Sequence, residues 1–515
     1  MKKLLIFLAT LSALALAQPH TVRLRLPGGW IEGRVEGDVL SFKGITYAHA
    51  ERWREPQPIE NWSGTIHAYD YGPICPQRGD ITIQLGRALG EYVPAASEDC
   101  LNLNVWVPAS EPPPQGWPVM VFIHVGSFTG GSGSEPIFNG AALARRGAIV
   151  VTINYRLGIF GFLALPALAA ENPHGSTGNY GLLDQLAAFR WIRKQISGFG
   201  GNPENVTAFG ESAGSMALCV LLSSPLARGA FDKVILESGG CNHVTTKEKA
   251  YAYAASVAKR VGCQLDDLNC WRSLPASTLA AITQLKETDF EKEPIKPVID
   301  GYVVVGPPEQ VLRSGGGLQI PMLVGANADE YRLDLTAAVL PEKSTWGGFA
   351  RILRNKEGAR AEKVLKHYRE RFETAREAYY AYMGERLLLC PTYRVGRIMK
   401  DRVPVYGYIY EYRVSNWYAL GSAHGFELPL VFDTRRTWPF WLLFITEPEL
   451  KKTDSLTAAI QRAWVSFASG DEPRAGMAPL PRLGSGWLMG FDLRWGWRPD
   501  VWDERCQLWG ADEPH

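Results

Sequence analysis

A serine flanked by glycines constrains the fold of this chain more than any other stretch. Gly210-Glu-Ser-Ala-Gly214 follows a β-prone segment at residues 205–209 and precedes small and apolar residues at 215–222. This order predicts a strand, a sharp turn and a helix, with the Ser212 hydroxyl held out at the top of a sheet. The helix N-terminus beside it favours developing negative charge. A packing turn of small residues is the alternative, and partners for Ser212 would decide between the two.

Short apolar runs recur along the chain and alternate with helical patterns. The β-rich runs lie at residues 101–107, 119–124, 148–154, 234–237 and 322–325, and helical spacing of apolar residues marks 182–196. The alternation predicts an α/β fold with a mostly parallel central sheet and helices on both faces. Residues 20–47 indicate a small N-terminal β-meander, and residues 331–423 a mostly helical insertion over the sheet. Because no linker or repeat interrupts the pattern, we expect residues 18–515 to form a single domain.

The first 17 residues have the pattern of a cleavable signal peptide. Two lysines precede an apolar run at residues 4–14, and Ala15-Leu-Ala17 forms a small-residue cleavage site before Gln18. No later stretch reaches the roughly 18 apolar residues of a membrane helix. The net charge of +1 gives no reason to expect nucleic acid or an anionic surface as a partner. The sequence therefore predicts a secreted or periplasmic protein without a membrane anchor.

A serine hydroxyl becomes a good nucleophile only when an adjacent base removes its proton and an acid orients that base. In a strand, turn and helix of this kind the chain order is serine, acid, histidine. Four of the nine histidines follow the serine, namely His243, His367, His424 and His515. His424 lies in a loop after a predicted strand and leaves room for an acid before it. It is the best candidate for the base.

The acid is expected at the end of the apolar strand 322–325. Asp329 and Glu330 follow that strand directly, and Glu330 is the preferred candidate, with Asp329 as the alternative. An oxyanion hole needs backbone N–H groups aimed at the developing charge. Ala213, immediately after the serine, supplies one of them. The other is expected from the loop that begins at His124.

The eight cysteines of an exported chain are expected to form disulfides, although eight cysteines allow 105 complete pairings. Cys263 and Cys270 enclose a short loop and are the pair that spacing alone favours. Spacing leaves the other six open.

With these residues in place, the chain resembles the type-B carboxylesterase/cholinesterase family of the α/β-hydrolase fold over nearly all of residues 18–515. Landmarks of that family occur in order: Phe42-Lys-Gly-Ile-Thr-Tyr-Ala, Ser97-Glu-Asp-Cys-Leu-Asn-Leu-Asn, Asn154-Tyr-Arg-Leu-Gly, Gly178-Asn-Tyr-Gly-Leu-Leu-Asp-Gln, Phe199-Gly-Gly-Asn-Pro, the Ser212 turn, Asp329-Glu, His424-Gly and Phe467-Ala-Ser-Gly-Asp-Glu-Pro. The resemblance implies a Ser212, His424 and Glu330 triad.

The resemblance also implies structural roles for several residues. It implies three disulfides, Cys75–Cys100, Cys263–Cys270 and Cys390–Cys506, and leaves Cys219 and Cys241 free. It implies an ion pair between Arg52 and Glu98 that braces the first disulfide loop, and it puts Ser238 near the acid and the histidine.

The chain departs from the family in its oxyanion loop. The usual His-Gly-Gly-Gly-Phe is here His124-Val-Gly-Ser-Phe128, so Val125 and Ser127 replace two glycines. A β-branched valine does not comfortably adopt a positive φ, so the loop must take another conformation or the hole is misshapen. Gly126 and Ser127 remain the positional donors beside Ala213. The loop between Cys75 and Cys100 lacks the tryptophan with which cholinesterases hold a quaternary ammonium, so choline esters are not the expected substrates.

These features predict a serine carboxylesterase that hydrolyses uncharged small-molecule esters through an acyl-enzyme, without a metal or organic cofactor. Activity is expected to fall as the pH drops through the pKa of His424, taken near its ordinary value of about 6.5. Two alternatives stay open. One is a lipase, amidase or toxin-ester hydrolase with the same triad, and the other is a binding or adhesion member of the fold with weak catalysis. Phe128, Trp417 and Phe432 could line a gorge or belong to the core.

Overall fold

The structure is a computed structural model of the chain. It describes residues 20–77, 93–282, 294–334, 340–414, 420–442 and 445–510, together with residue 88. The predicted signal peptide at residues 1–17 and Trp417 lie outside the described residues. In the described part, no helix is both long enough and apolar enough to cross a membrane.

A large mixed sheet of 13 strands organises the described part of the chain. In chain order the strands are β1 Thr21–Leu26, β2 Gly29–Glu36, β3 Val39–Thr46, β4 Thr65–His67, β5 Asn102–Pro108, β6 Trp117–Ile123, β7 Ile149–Ile153, β8 Gly201–Glu211, β9 Lys233–Glu237, β10 Met322–Asn327, β11 Val405–Tyr410, β12 Trp487–Phe491 and β13 Gly496–Pro499.

The middle of the sheet is parallel. The spatial order is β1-β2-β3-β5-β7-β6-β8-β9-β10-β11-β12-β13, with β4 beside β2. From β7 to β12 all neighbours are parallel, whereas β1 to β3 form an antiparallel meander at one end. The carboxyl ends of the parallel strands therefore meet at one edge, where open α/β sheets bind ligands. The predicted meander and mostly parallel sheet are both present.

Both faces of the sheet are covered, because each central strand is apolar on both sides. Along β6, Val119, Val121 and Ile123 join one core cluster, whereas Met120 and Phe122 join the other. The α-helices in the described part are α1 Ala141–Ala144, α2 Gly158–Phe162, α3 Pro166–Glu171, α4 Tyr180–Gln195, α5 Ala213–Leu222, α6 Lys247–Val261, α7 Leu268–Ser273, α8 Ala276–Ile282, α9 Pro308–Arg313, α10 Pro341–Ser344, α11 Trp346–Glu357, α12 Ala361–Arg371, α13 Ala375–Gly384, α14 Cys390–Met399, α15 Leu428–Val431, α16 Pro439–Leu442, α17 Glu447–Lys452, α18 Asp454–Ser469 and α19 Trp502–Arg505.

The predicted insertion at residues 331–423 is helical, with β11 as its strand. Helices α10 to α14 follow β10, and the chain then returns to the sheet as β11, which pairs with β10. Two residues that are far apart in sequence, one after β10 and one after β11, are thereby brought to the same edge.

Four disulfides cross-link the chain, and one of them corrects the sequence analysis. Cys75–Cys100, Cys263–Cys270 and Cys390–Cys506 are the pairs that the resemblance implies. The fourth is Cys219–Cys241, with a Cα–Cα distance of 5.0 Å, so the expectation that these two cysteines stay free is wrong. They meet because Gly239 lets the loop after β9 run against α5: a Cβ there would lie 2.5 Å from the Ser212 carbonyl oxygen.

Candidate active site

Ser212 occupies the turn between β8 and α5. Its φ of 53° and ψ of −122° lie in a region that residues other than glycine rarely adopt, so the surrounding structure must hold it there. Its N–H donates to the Glu237 carbonyl oxygen at 3.0 Å, which ties the turn to the neighbouring strand. The side chain is 6% exposed at the carboxyl end of β8. This is the sharp turn between strand and helix that the sequence predicts, and the structure shows that it is strained.

The two glycines of the turn are required by space. A Cβ on Gly214 would lie 2.0 Å from the Ile123 carbonyl oxygen, and one on Gly210 would lie 2.7 Å from the Gly214 carbonyl carbon. Any side chain at either position would push α5 away from β6 and β8. The glycines therefore fix how closely the helix beneath Ser212 packs on the sheet.

Glu330 and His424 meet at the neighbouring strand ends. The Nδ1 atom of His424 lies 2.7 Å from Glu330 Oε2, and the backbone N–H of His424 donates to the Glu330 carbonyl oxygen at 3.2 Å. The other oxygen of Glu330 accepts the Asn327 N–H at 2.7 Å. Because a carboxylate accepts hydrogen bonds, this contact favours the tautomer with the proton on Nδ1 and leaves Nε2 as the basic nitrogen.

Asp329, the alternative acid, points elsewhere. Its carboxylate forms ion pairs with Arg332 and Arg413, at 3.1 and 3.2 Å. It also accepts hydrogen bonds from the backbone N–H and the hydroxyl of Ser422, each at 3.1 Å. Asp329 thus ties the turn after β10 to the loop that carries His424, while Glu330 contacts the imidazole itself.

A second carboxylate reaches His424. Glu211, the residue before the serine, has its Oε1 atom 3.1 Å from His424 Nδ1 and is 1% exposed. This contact brings the histidine, its acid and the serine turn together at one edge of the sheet. Sequence reasoning missed Glu211 as a partner of His424, although its position at the last residue of β8 marks it as a residue of the strand end.

Burial and mutual repulsion perturb the acidic groups of this region. Burial raises the pKa of Glu211 and of Glu237 well above the ordinary value. Burial, with the charge of Glu330, raises the pKa of Glu427 to about 7. For His424, burial lowers the pKa, but the carboxylates of Glu211 and Glu330 outweigh it and raise the pKa to about 10. A sequence does not reveal the second carboxylate, which is why the sequence alone leads one to expect an ordinary pKa near 6.5 for His424.

The loop that begins at His124 accommodates its two non-glycine residues. Positive φ values fall on Gly126 (118°), Ser127 (53°) and Phe128 (62°), and not on Val125. The valine therefore keeps a backbone conformation that a β-branched residue tolerates, and the turn is made by the residues after it. Gly126 could not be replaced, since a Cβ there would lie 2.2 Å from the Gly130 carbonyl oxygen.

Two anchors hold the ends of this loop. At its start, His124 Nδ1 lies 2.7 Å from the Val125 carbonyl oxygen, and the ring stacks on Tyr155 at 4.5 Å. Further along, the amide of Gln77 receives the Gly131 N–H at 2.8 Å and donates to the Gly131 carbonyl oxygen at 2.9 Å. Gln77 lies two residues after Cys75, so the first disulfide region buttresses the candidate oxyanion loop. Sequence reasoning did not identify this contact.

The Arg52 and Glu98 pair is present, with Arg52 Nε donating to Glu98 Oε2 at 2.8 Å. Among the aromatic candidates, Phe432 is 1% exposed and packs against Phe122 and Phe209, so it belongs to the core. Phe128 is fully buried, directly after Ser127.

The described part of the chain contains no group of three or more His, Cys, Asp or Glu side chains arranged to hold a metal ion.

Known proteins match both the sequence and the fold. A model of the carboxylesterase family matches residues 18–487. The para-nitrobenzyl esterase of Bacillus subtilis (strain 168) is 36% identical over 463 residues, which cover 86% of this chain and 89% of that protein. The fumonisin B1 esterase of Sphingopyxis macrogoltabida is 43% identical over 324 residues, which cover 61% of this chain and 57% of that protein. The acetylcholinesterase of Bungarus fasciatus is 31% identical over 476 residues, which cover 85% of this chain and 76% of that protein.

Solved structures agree with these matches. The carboxylesterase EST55 of Geobacillus stearothermophilus at pH 6.2 superposes with a TM-score of 0.82 and 30% identity, covering 95% of this chain and 100% of that one. A PNB esterase structure superposes with a TM-score of 0.79 and 31% identity, covering 94% of this chain and 99% of that one. The sheet, its covering helices and these likenesses define an α/β-hydrolase. More particularly, the chain belongs to the carboxylesterase family, the type-B carboxylesterases and cholinesterases, and is a carboxylic ester hydrolase.

Proposed function

We propose that this protein is an exported serine carboxylesterase that hydrolyses uncharged esters through a Ser212, His424 and Glu330 triad. The observation that carries the proposal is the 2.7 Å contact between His424 Nδ1 and Glu330 Oε2 beside the strained Ser212 turn. The acid orients the imidazole, and the imidazole activates the serine.

The reaction follows from these positions. Neutral His424 removes the Ser212 proton through Nε2 while the serine oxygen attacks the ester carbonyl carbon, and Glu330 stabilises the imidazolium that forms. The N–H groups of Ala213, Gly126 and Ser127 stabilise the oxyanion. The imidazolium then protonates the departing alcohol, which leaves an acyl-enzyme. Water, deprotonated by His424, attacks the acyl carbon and releases the carboxylic acid and the free serine.

The first test is hydrolysis of a short-chain p-nitrophenyl ester by the purified oxidised protein and by Ser212→Ala. Turnover should disappear in that variant. Ser223→Ala is the matched control, since Ser223 is also buried, directly after the same helix, and its hydroxyl donates to the nearby Val220 carbonyl oxygen. Its activity should be unchanged. Turnover that survives in Ser212→Ala would refute the proposed nucleophile, and an inactive folded wild type would favour a binding role.

Export is the second part of the proposal, and it is supported by the signal-like N-terminus and by disulfides, which persist in oxidising compartments. Mass spectrometry of the exported protein should find Gln18 as the first residue. An intact N-terminus at Met1 on exported protein would contradict cleavage.

One match favours a particular substrate to test beside simple esters. Among the relatives reported above, the fumonisin B1 esterase has the highest identity, 43%. We therefore propose fumonisin B1 as a candidate substrate, in line with the toxin-ester alternative. Incubation with fumonisin B1, followed by mass spectrometry of the released acid, tests this, with Ser212→Ala as the blank. A p-nitrophenyl ester series of increasing acyl length separates the lipase alternative.

A further inference from the structure

The residues after β9 connect the serine turn to the oxyanion loop. Ser215, on the first turn of α5, donates its hydroxyl to the Gly239 carbonyl oxygen at 2.6 Å. Gly240 passes Pro391 so closely that a Cβ would lie 2.5 Å from the Pro391 carbonyl oxygen. Cys241 is then bonded covalently to Cys219 of α5. Residues 239–241 are therefore fixed to the helix that begins beside Ser212.

His243, two residues further on, connects this fixed segment to the candidate oxyanion loop. Its ring stacks on Phe128 with a centroid distance of 5.8 Å and an interplanar angle of 6°. Both side chains are buried, at 4% and 0% exposure. Burial, with a smaller effect of Lys296, holds the pKa of His243 well below its ordinary value, so the ring is neutral at pH 7. The contact is thus a neutral aromatic stack.

Phe128 needs such support. It has a φ of 62°, which a bulky residue adopts only where the surrounding structure holds it, and it follows Ser127, which also has a positive φ. The Phe128 ring also contacts Phe162 edge-on, with a centroid distance of 5.0 Å, and the Phe128 carbonyl oxygen accepts the Gly158 N–H at 2.7 Å. With serine in place of a glycine in this turn, the ring contacts add to this hydrogen bond and to the two anchors in keeping the loop in the observed conformation.

We propose that His243 is a positioning residue for the oxyanion loop. Its ring, anchored to α5 through the Cys219–Cys241 disulfide, supports Phe128 and thereby sets the position of the Ser127 N–H relative to Ser212. The inference rests on the proposed function, since it assumes that Ser127 donates to the oxyanion. It also gives the unexpected disulfide a role. The disulfide ties the segment that carries His243 to α5, so the oxyanion loop and the Ser212 turn are both held by the same helix.

The test compares His243→Ala with His243→Phe, which keeps an aromatic ring for stacking. For a p-nitrophenyl ester, His243→Ala should lower kcat about tenfold with little change in KM, because a donor is displaced rather than removed. The inhibition constant of a trifluoromethyl ketone, which forms an oxyanion on the serine, should rise by a similar factor. His243→Phe should stay within about twofold of the wild type in both measurements.

A second variant separates an effect on the oxyanion loop from a general loss of stability, because it also removes a buried aromatic ring but away from the site. Phe231→Ala removes a buried ring that packs on Phe189 at 5.2 Å, and it should lower the melting temperature while kcat below melting is kept. Wild-type kcat in His243→Ala, an equal loss in His243→Phe, or a rise in KM alone would overturn the inference. An inactive wild type, or turnover that persists in Ser212→Ala, would instead refute the proposed function.

Discussion

Two carboxylates approach the same nitrogen of His424, and in the proposed triad this determines how the rate depends on pH. Glu330 and Glu211 both stabilise the protonated imidazole, and the imidazolium in turn lowers the pKa of Glu211 against the effect of burial. More alkaline conditions are therefore needed to produce neutral His424 than for an isolated histidine. The rate should therefore rise with pH through a midpoint above 6.5. From the sequence, the midpoint is expected at the ordinary histidine value, and the two carboxylates move it upward.

Glu211→Gln should move this midpoint down. Removing a negative charge next to Nδ1 destabilises the imidazolium, so the pKa of His424 falls and the acid limb of kcat/KM shifts to lower pH by about one unit or more. The measurement is kcat/KM for a short-chain p-nitrophenyl ester from pH 5 to 10. Glu427→Gln, a carboxylate with a weaker effect on His424, should shift the limb less. If the acid limb of the kcat/KM profile stays in place in Glu211→Gln, the prediction is wrong, and Glu211 carries no charge at the working pH.

The backbone of the oxyanion loop leads to a second prediction at the level of single residues. Ser127→Gly should stabilise the protein by up to about 1 kcal/mol, because glycine adopts a φ of 53° without steric cost. Val125→Gly should destabilise it by about 1 kcal/mol, since Val125 has no positive φ to relieve and loses packing. Urea unfolding of both variants measures the difference. Equal effects of the two substitutions would contradict the assigned backbone conformations.

Among the larger elements, the turn after β10 and the loop after β11 act as one unit. Asp329 N–H donates to the Ser422 carbonyl oxygen at 3.2 Å, and the Asp329 carboxylate accepts both hydrogen bonds from Ser422, while Glu330 receives the backbone N–H of His424. The parallel pairing of β10 with β11 brings these segments side by side. The relative position of acid and histidine is thus set by backbone contacts as well as by their side chains.

Asp329→Asn should loosen this unit, because it removes the charge of residue 329 while the size of the side chain stays the same. We expect kcat to fall about three- to tenfold, because the two Ser422 bonds and the Arg332 and Arg413 ion pairs weaken and the histidine loop gains freedom. Steady-state kinetics with a p-nitrophenyl ester measures it. Glu377→Gln is the matched control, since it removes another ion pair of Arg332 without touching Ser422, and it should retain kcat. Equal losses in both variants would assign the effect to Arg332 instead.

At the scale of the whole molecule, the longest disulfide loop ties the C-terminal region to the insertion. Cys390 and Cys506 are 116 residues apart, whereas Cys263 and Cys270 are seven apart. In the chain-entropy model the first cross-link contributes about 5 kcal/mol to stability and the second about 2.5 kcal/mol. Replacing both cysteines of the longer loop by alanine should therefore lower the urea midpoint more than the same change in the shorter one. The reverse order would show that native-state contacts outweigh loop closure.

The sequence predicted features that depend on local pattern, and it missed those that depend on approach between distant segments. The strand, turn and helix around Ser212 follow from glycine spacing. The choice of Glu330 and His424 follows from the chain order of serine, acid and histidine and from the family resemblance. The Cys219–Cys241 bond depends on how closely Gly239 passes α5, which no spacing reveals. Likewise, a phenylalanine such as Phe432 is equally compatible with a core and with a gorge when only the sequence is known. Its packing on Phe122 assigns it to the core.

The helical insertion begins and ends at neighbouring positions on the sheet. Glu330 and His424 are 94 positions apart in sequence, and their side chains are in contact. Laboratory recombination of segments from relatives could therefore exchange much of residues 340–389 while the ends remain in register. The chain from Cys390 onward is constrained, because Cys390 is bonded to Cys506. A Cβ on Gly384 would lie 3.0 Å from the Glu330 Cβ, so a larger residue there would require a small shift beside the acid. Libraries built on this boundary would vary the insertion and leave Ser212, Glu330 and His424 unchanged.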